Sequence, residues 1–144
     1  MRSITVKTNI KVPVEKVWQY WTRTEHITGW NFAGTDWHCP EASNNLEKGG
    51  EFHYIMSDKD GSLSFDFWGT YVGIETEKSI DIILGDGRKM LVLFESIDDS
   101  TTTVTETFEP ENENSPELQK AGWQAILDNF GKYSESRFDQ VIPG

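Results

Sequence analysis

SPELQKAGWQAILDNFGKYSES, residues 115–136, decides the fold, because it reads as one long helix. Ser115 is a good N-cap, since its hydroxyl can accept from a first-turn amide that has no partner inside the helix. Pro116 fits the first helical position, where its missing N–H costs nothing. Glu117 sets a negative charge at the positive end of the helix dipole. Leu118, Gly122, Ala125, Ile126, Asn129, Phe130 and Tyr133 recur at three- and four-residue steps, and Trp123 and Leu127 widen the apolar stripe. About 20 residues of helix run roughly 30 Å. An apolar face that long and wide needs a broad partner, and a sheet is the natural one.

The upstream residues supply it. Ile4, Val6, Thr8, Ile10 and Val12 alternate with polar neighbours, a strand with one wet face. Pro13 ends it, and VEKVWQYW places Val14, Val17, Trp18 and Trp21 on one face of a short helix. A second short helix is predicted from Glu25 to about Gly29, capped by Thr24. Residues 31–50 read as irregular, with room for one short strand. Strand signals then follow as hairpins: Glu51 to Met56, Leu63 to Thr76, Ser79 to Leu84, Lys89 to Ile97 and Thr101 to Phe108. Gly69 and Gly73 mark a bulge or strong curvature in the longest of them. Glu109 to Glu117 reads as a solvated crossover, and Arg137 to Gly144 as a fraying end. The expected architecture is therefore α+β, a helix-grip fold. A curved antiparallel sheet of about six or seven strands surrounds a long C-terminal helix, with two short helices after the first strand. Its 144 residues are expected to form a single domain over 1–144, with an ordered core at about 3–136.

Charge and composition remove several functions. A net charge of −11 repels a nucleic acid backbone and disfavours anionic membrane surfaces. The single cysteine, Cys39, rules out an internal disulfide framework. The first residues, MRSITVKTNI, lack the apolar run of a signal peptide, and no stretch is long and apolar enough to span a membrane. A soluble, cytoplasmic protein is expected.

Four segments carry a family resemblance: PVEKVWQYWTRTEHITGW (13–30), LEKGGEFHY (46–54), FWGTYVGIETEKSIDI (67–82) and AGWQAILDNFGKY (121–133). Across about residues 3 to 136 the chain resembles the START-like, or polyketide cyclase and Bet v-like, superfamily. Within it, the chain looks like the heat-shock-protein-90 ATPase activator homologue family. The Gly-Trp pair followed by a Leu-Asp-Asn step is the most specific match. The resemblance implies a curved antiparallel sheet gripping the last helix, with a cavity between them. The superfamily includes lipid and hormone carriers, cyclases and a co-chaperone domain, so the fold alone does not choose a function. Co-chaperone members carry a separate N-terminal domain that contacts the chaperone. The present sequence is expected to act without one.

Three groups of residues are candidates for a site. The first is the wall of that cavity, expected from Trp30, Phe32, Trp37, Tyr54, Met56, Phe65, Phe67 and Trp68, with Phe94 and Phe108 from later strands and Trp123, Leu127 and Phe130 from the helix. Any one of these could equally be packed core. Gly122 joins them, because a mid-helix glycine costs ~1 kcal/mol against alanine and makes sense where something approaches the helix closely. Helix–sheet contact would explain it too. The second is GWNFAGTDWHCP, residues 29–40, where Asp36 or His38 could act as a general acid or base or anchor a ligand hydroxyl. The plainer readings are Asp36 in a turn, His38 exposed and Cys39 a small apolar filler. His38 cannot easily activate Cys39, since neighbours in an extended segment point apart. The third is Glu106, which shares a strand face with Val104 and Phe108. If that face is the inner one, an apolar cavity should raise its pKa. If Thr103, Thr105 and Thr107 face inward, Glu106 is wet.

No metal or cofactor is expected. His26, His38 and His53 fall on separate elements without ligand spacing, and Gly85-Asp86-Gly87 lacks the lysine of a phosphate loop. The leading reading is a non-enzymatic protein that binds a small apolar or aromatic molecule. A cyclase- or hydrolase-like enzyme using Glu106 and Asp36 is the runner-up, and a co-chaperone-like module with a chaperone partner is the third. The ligand's identity and the oligomeric state stay open.

Overall fold

The computed structural model describes residues 3–141. Strand β1 (Ile4–Ile10) leads into helices α1 (Val14–Thr22) and α2 (Thr24–Ile27). Strands β2 (Trp37–Asn44), β3 (Glu51–Asp58), β4 (Ser64–Glu75), β5 (Ser79–Leu84), β6 (Lys89–Asp98) and β7 (Thr101–Phe108) follow, and helix α3 (Pro116–Val141) comes last. All seven strands form one antiparallel sheet in the order β1-β7-β6-β5-β4-β3-β2. Strands β2 to β7 are a plain meander, and β1 closes on β7 from the far end of the chain. Helices α1 and α2 therefore carry the chain from one sheet edge to the other. The sheet curls into a half-barrel around α3, the helix-grip arrangement.

Alternation along the strands fixes what faces α3. On β1, Ile4, Val6 and Ile10 are buried. On β7, Thr102, Val104, Glu106 and Phe108 are buried, and the threonines between them lie on the outer face. There the Thr103 hydroxyl donates to Asn9 Oδ1 at 2.6 Å, and the Thr5 and Thr107 hydroxyls meet at 3.1 Å. Glu106 is thus an inner residue. A bulge between Tyr71 and Gly73 bends β4 as the glycines there suggest. Gly69 is required by contact: a Cβ would stand 2.9 Å from the Ile83 carbonyl oxygen and 3.0 Å from the Phe52 ring.

The long helix begins as expected, with Ser115 Oγ accepting from the Leu118 amide at 3.1 Å. It does not fray after Ser136. The helix continues to Val141, with Phe138 packed against the core and Glu135 accepting from the Lys11 amide at 3.0 Å. Residues 142–144, also expected to fray, lie outside the described residues. Helix α2 starts at Thr24 itself, so Thr24 is not its cap. Strand β2 is longer than the short strand allowed for residues 31–50. It absorbs Pro40, which has no amide to donate, through a register shift between His38 and Glu41. Asn44 ties the end of β2 in place, donating to the Thr22 carbonyl at 2.6 Å and accepting from Tyr71 at 2.5 Å.

Candidate functional site

Seven inward positions of the sheet face the N-terminal half of α3 without touching it everywhere. They are Phe52, Tyr54 and Met56 of β3, Phe67 and Tyr71 of β4, Ile82 of β5 and Met90 of β6. Above them, Gln119, Trp123 and Ile126 project from successive turns of α3. Between the two layers lies a cavity of about 280 Å³, and Trp21, Trp30 and Asn31 also line it.

The walls are held by their own packing. Trp123 stacks on Phe108 at 3.7 Å and 13° and meets Phe67 edge-on at 5.8 Å. Phe52 leans on Tyr54 at 4.7 Å and Tyr71 at 5.5 Å. Of these rings, Phe52, Tyr54, Phe67, Tyr71 and Trp123 line the cavity.

Two polar groups interrupt the apolar lining. Glu106 is only 6 % exposed, and its carboxyl makes no hydrogen bond among the described residues. Burial penalises its charged form and pushes its pKa up to about 8, so near neutral pH it is mostly a neutral hydrogen-bond donor. Asn31 is buried as well, and its amide nitrogen has no partner among the described residues. The tyrosines of the lining stay neutral too. Burial raises the Tyr54 phenol, and it pushes that of Tyr71 up to about 12.

The mouth is polar. Phe65, Arg88, Glu111 and Asn114 border it. Arg88 donates to Asp86 at 2.7 Å and to the Glu109 carbonyl at 3.0 Å. Gln119 clamps the 109–114 strap to the start of α3. Its oxygen accepts from the Glu111 amide at 2.8 Å, and its nitrogen donates to the carbonyls of Glu111 (3.1 Å) and Asn114 (2.8 Å). The segment expected to be a solvated crossover is thus fastened down, and it supplies two residues of the mouth.

Of the residues expected in the cavity wall, Trp30, Tyr54, Met56, Phe65, Phe67 and Trp123 line it. Phe108 stands behind Trp123, and Phe94, Leu127 and Phe130 are buried in solid core. Phe32 and Trp37 are half-buried outside the lining, with Trp37 edge-on to Phe65 at 6.0 Å. Trp68 is on the opposite face of β4, stacked on His53 at 5.4 Å and 8°, because its parity differs from that of Phe67. Nothing among the described residues comes within 4 Å of a Cβ added at Gly122, so close approach does not explain that glycine. Asp36 is exposed and outside the cavity, its carbonyl accepting from the Lys59 amide at 2.9 Å. His38 is half-buried elsewhere, on the edge strand. Cys39 is buried, its thiol 3.5 Å from the Glu41 carbonyl and pushed by burial up to about 11, which leaves it a filler and no nucleophile.

Other lining residues were not foreseen. Phe52 and Tyr71 carried a signal, since they share a face with Tyr54 and with Phe67. Arg88, Glu111, Asn114 and Asn31 lie in turns and connectors, where no periodicity assigns a direction. Among the described residues no three His, Cys, Asp or Glu side chains are placed to hold a metal.

The model of the family described as activator of Hsp90 ATPase homolog 1-like protein matches residues 11–135. The chain belongs to this family. Among solved structures, the AHSA1-like protein from Aeromonas hydrophila is 37% identical, with a TM-score of 0.90 and 99% of each chain covered. A protein from Cytophaga hutchinsonii is 43% identical, with a TM-score of 0.80 over 98% of this chain and 97% of the other. A Nitrosomonas europaea protein, 19% identical with a TM-score of 0.76 over 95% and 96%, shares the fold. No curated protein matches. No helix among the described residues of this AHSA1-like chain is long and apolar enough to cross a membrane.

Proposed function

We propose that this AHSA1-like protein binds a small apolar or aromatic molecule in the cytoplasm, in the cavity between the sheet and α3. The observation that carries the reading is the cavity itself. The space of about 280 Å³ is lined mostly by aromatic, aliphatic and thioether side chains, and a ligand that fits it would stabilise the folded protein by binding. The concave shape, apolar walls and few polar groups are those of small-molecule sites. Cyclase or hydrolase chemistry shared between Glu106 and Asp36 has no support, because Asp36 lies outside the cavity that holds Glu106. A chaperone partner rests on the family description alone, and stimulation of an Hsp90 ATPase by the purified chain is the assay that would add it.

Native mass spectrometry of the protein purified from its own host tests the binding reading. A bound small molecule is expected on the wild type and is expected to be absent from Ile126→Trp, which fills the cavity from α3. A wild type without any adduct, whose melting temperature is also unmoved by aromatic compounds, would count against it.

A further inference from the structure

Resting on that reading, we infer that the cavity selects a neutral hydroxylated aromatic compound, its rings against the apolar walls and its hydroxyl on the Glu106 carboxyl. Glu106 is an inward residue of β7 and lines the cavity, on which it keeps its small open surface. Across the sheet it pairs with Val6 of β1 and Val92 of β6, whose side chains have no donor to offer it. Its carboxyl oxygens make no hydrogen bond among the described residues, and neither is sealed off as the Asn31 amide nitrogen is. Other polar side chains of the lining are already engaged. The Tyr71 phenol donates to Asn44 at 2.5 Å, Gln119 holds the strap, and Arg88 donates to Asp86 and to the Glu109 carbonyl. The rings of Phe52, Phe67 and Trp123 offer flat surfaces to the rest of the ligand.

A carboxyl presents an acceptor whether or not it carries a proton: both oxygens when ionised, the carbonyl oxygen when neutral. A hydroxyl donates to that acceptor in either state, and it also accepts from the carboxyl proton when there is one. A ketone only accepts, so it has nothing to give an ionised carboxyl. An ammonium group would have to leave water for apolar walls. An anion would meet Glu106 inside and Glu111 at the mouth of a protein with a net charge of −11. A plain hydrocarbon fills the space but leaves Glu106 without a partner.

Isothermal titration calorimetry at pH 7 with four naphthalenes separates these cases. The probes are 2-naphthol, 2-methylnaphthalene, 2-acetonaphthone and 2-naphthylmethylamine. The naphthol is expected to bind tightest, about fivefold tighter than the methyl compound of nearly the same shape. A hydroxyl without a partner gives up its water for nothing, so in Glu106→Leu the order of these two should reverse. Glu106→Gln, which keeps a carbonyl acceptor, should leave the naphthol ahead. A wild type that binds the naphthol no tighter than the methyl compound, or that prefers the ketone or the amine, overturns the hydroxyl inference and leaves the cavity a ligand site. So does a naphthol preference that survives in Glu106→Leu, and Glu106→Met repeats that test should the leucine variant not fold. If none of the four binds, both readings fall.

Discussion

The C-terminal half of α3 is packed solid, and its N-terminal half roofs a hollow. Phe130 is fully buried, edge-on to Trp21 at 4.9 Å and to Trp30 at 4.7 Å. Trp21 in turn meets Phe94 at 5.7 Å, and the Trp30 indole donates to the Tyr20 carbonyl at 2.9 Å. One turn earlier, Ile126 lines the cavity. The helix and the sheet are the same in both places. The difference comes from α1 and α2, which fill the space beside the C-terminal half, while only the thin 109–114 strap crosses near the start of α3. Protein cores are ordinarily close-packed, so the space under the N-terminal half is the exception along this helix, and the proposed ligand site rests on it.

The comparison breaks most easily at two positions one turn apart. Phe130→Ala should cost about 3–5 kcal/mol of unfolding free energy, since it removes a ring from a filled core. Ile126→Ala, at a wall that already faces space, should cost less than about 1.5 kcal/mol. Chemical denaturation of the two variants measures both, and equal losses would mean that the two halves of the helix do not differ as described.

The next effect is set by pH. Glu106 titrates near its ordinary 4.5 when the chain is unfolded and at about 8 when folded. Between these values the folded state holds a proton that the unfolded state has lost, so this group makes stability fall as pH rises through the window. Above about 8 the loss levels off. Glu106→Gln removes the dependence. The variant should gain on the wild type from pH 5 to pH 8, by on the order of a few kcal/mol at the upper end. A constant difference across that range would place Glu106 in contact with water.

Smaller effects sharpen the picture of the mouth and the roof. Gln119→Ala removes the three hydrogen bonds by which α3 holds the strap and should cost about 1–2 kcal/mol. Hydrogen exchange should then show the Glu111 amide losing protection while the amides of β6 and β7 keep theirs. Gly122→Ala should raise stability by about 0.5–1 kcal/mol, because a Cβ there meets nothing within 4 Å and alanine is the better helix former. A loss instead would restore the idea that something lies close to the helix at that point.

These same residues show why the layout was legible in the sequence and much of the site was not. The alternation of Ile4 to Ile10, the Ser115-Pro116-Glu117 cap and the hairpin turns are local signals, and each fixes its element without help from distant residues. Strand β2 was obscured because Pro40 and the register shift beside it break the period of two, and its pairing with β3 is what makes it a strand. The extent of α3 past Ser136 depends on Phe138 finding the core, a tertiary contact. Inner and outer faces could be told apart wherever apolar residues marked the parity, which is how Glu106 was placed beside Val104 and Phe108. Trp68 misled because aromatic character was read ahead of parity. Arg88, Glu111, Asn114 and Gln119 surround the mouth through loop geometry and side-chain hydrogen bonds, and neither has a period.

The most direct test of the central claim, that the hollow is a ligand site, uses the methionines. Only three occur in the chain, and Met56 and Met90 both line the cavity. Methyl spectra of methionine-labelled protein during titration with 2-acetonaphthone should show the Met56 and Met90 signals moving together and saturably under the ring current of the bound probe. Methionine signals that stay fixed while the compound binds, or that fail to move at any concentration, would contradict it.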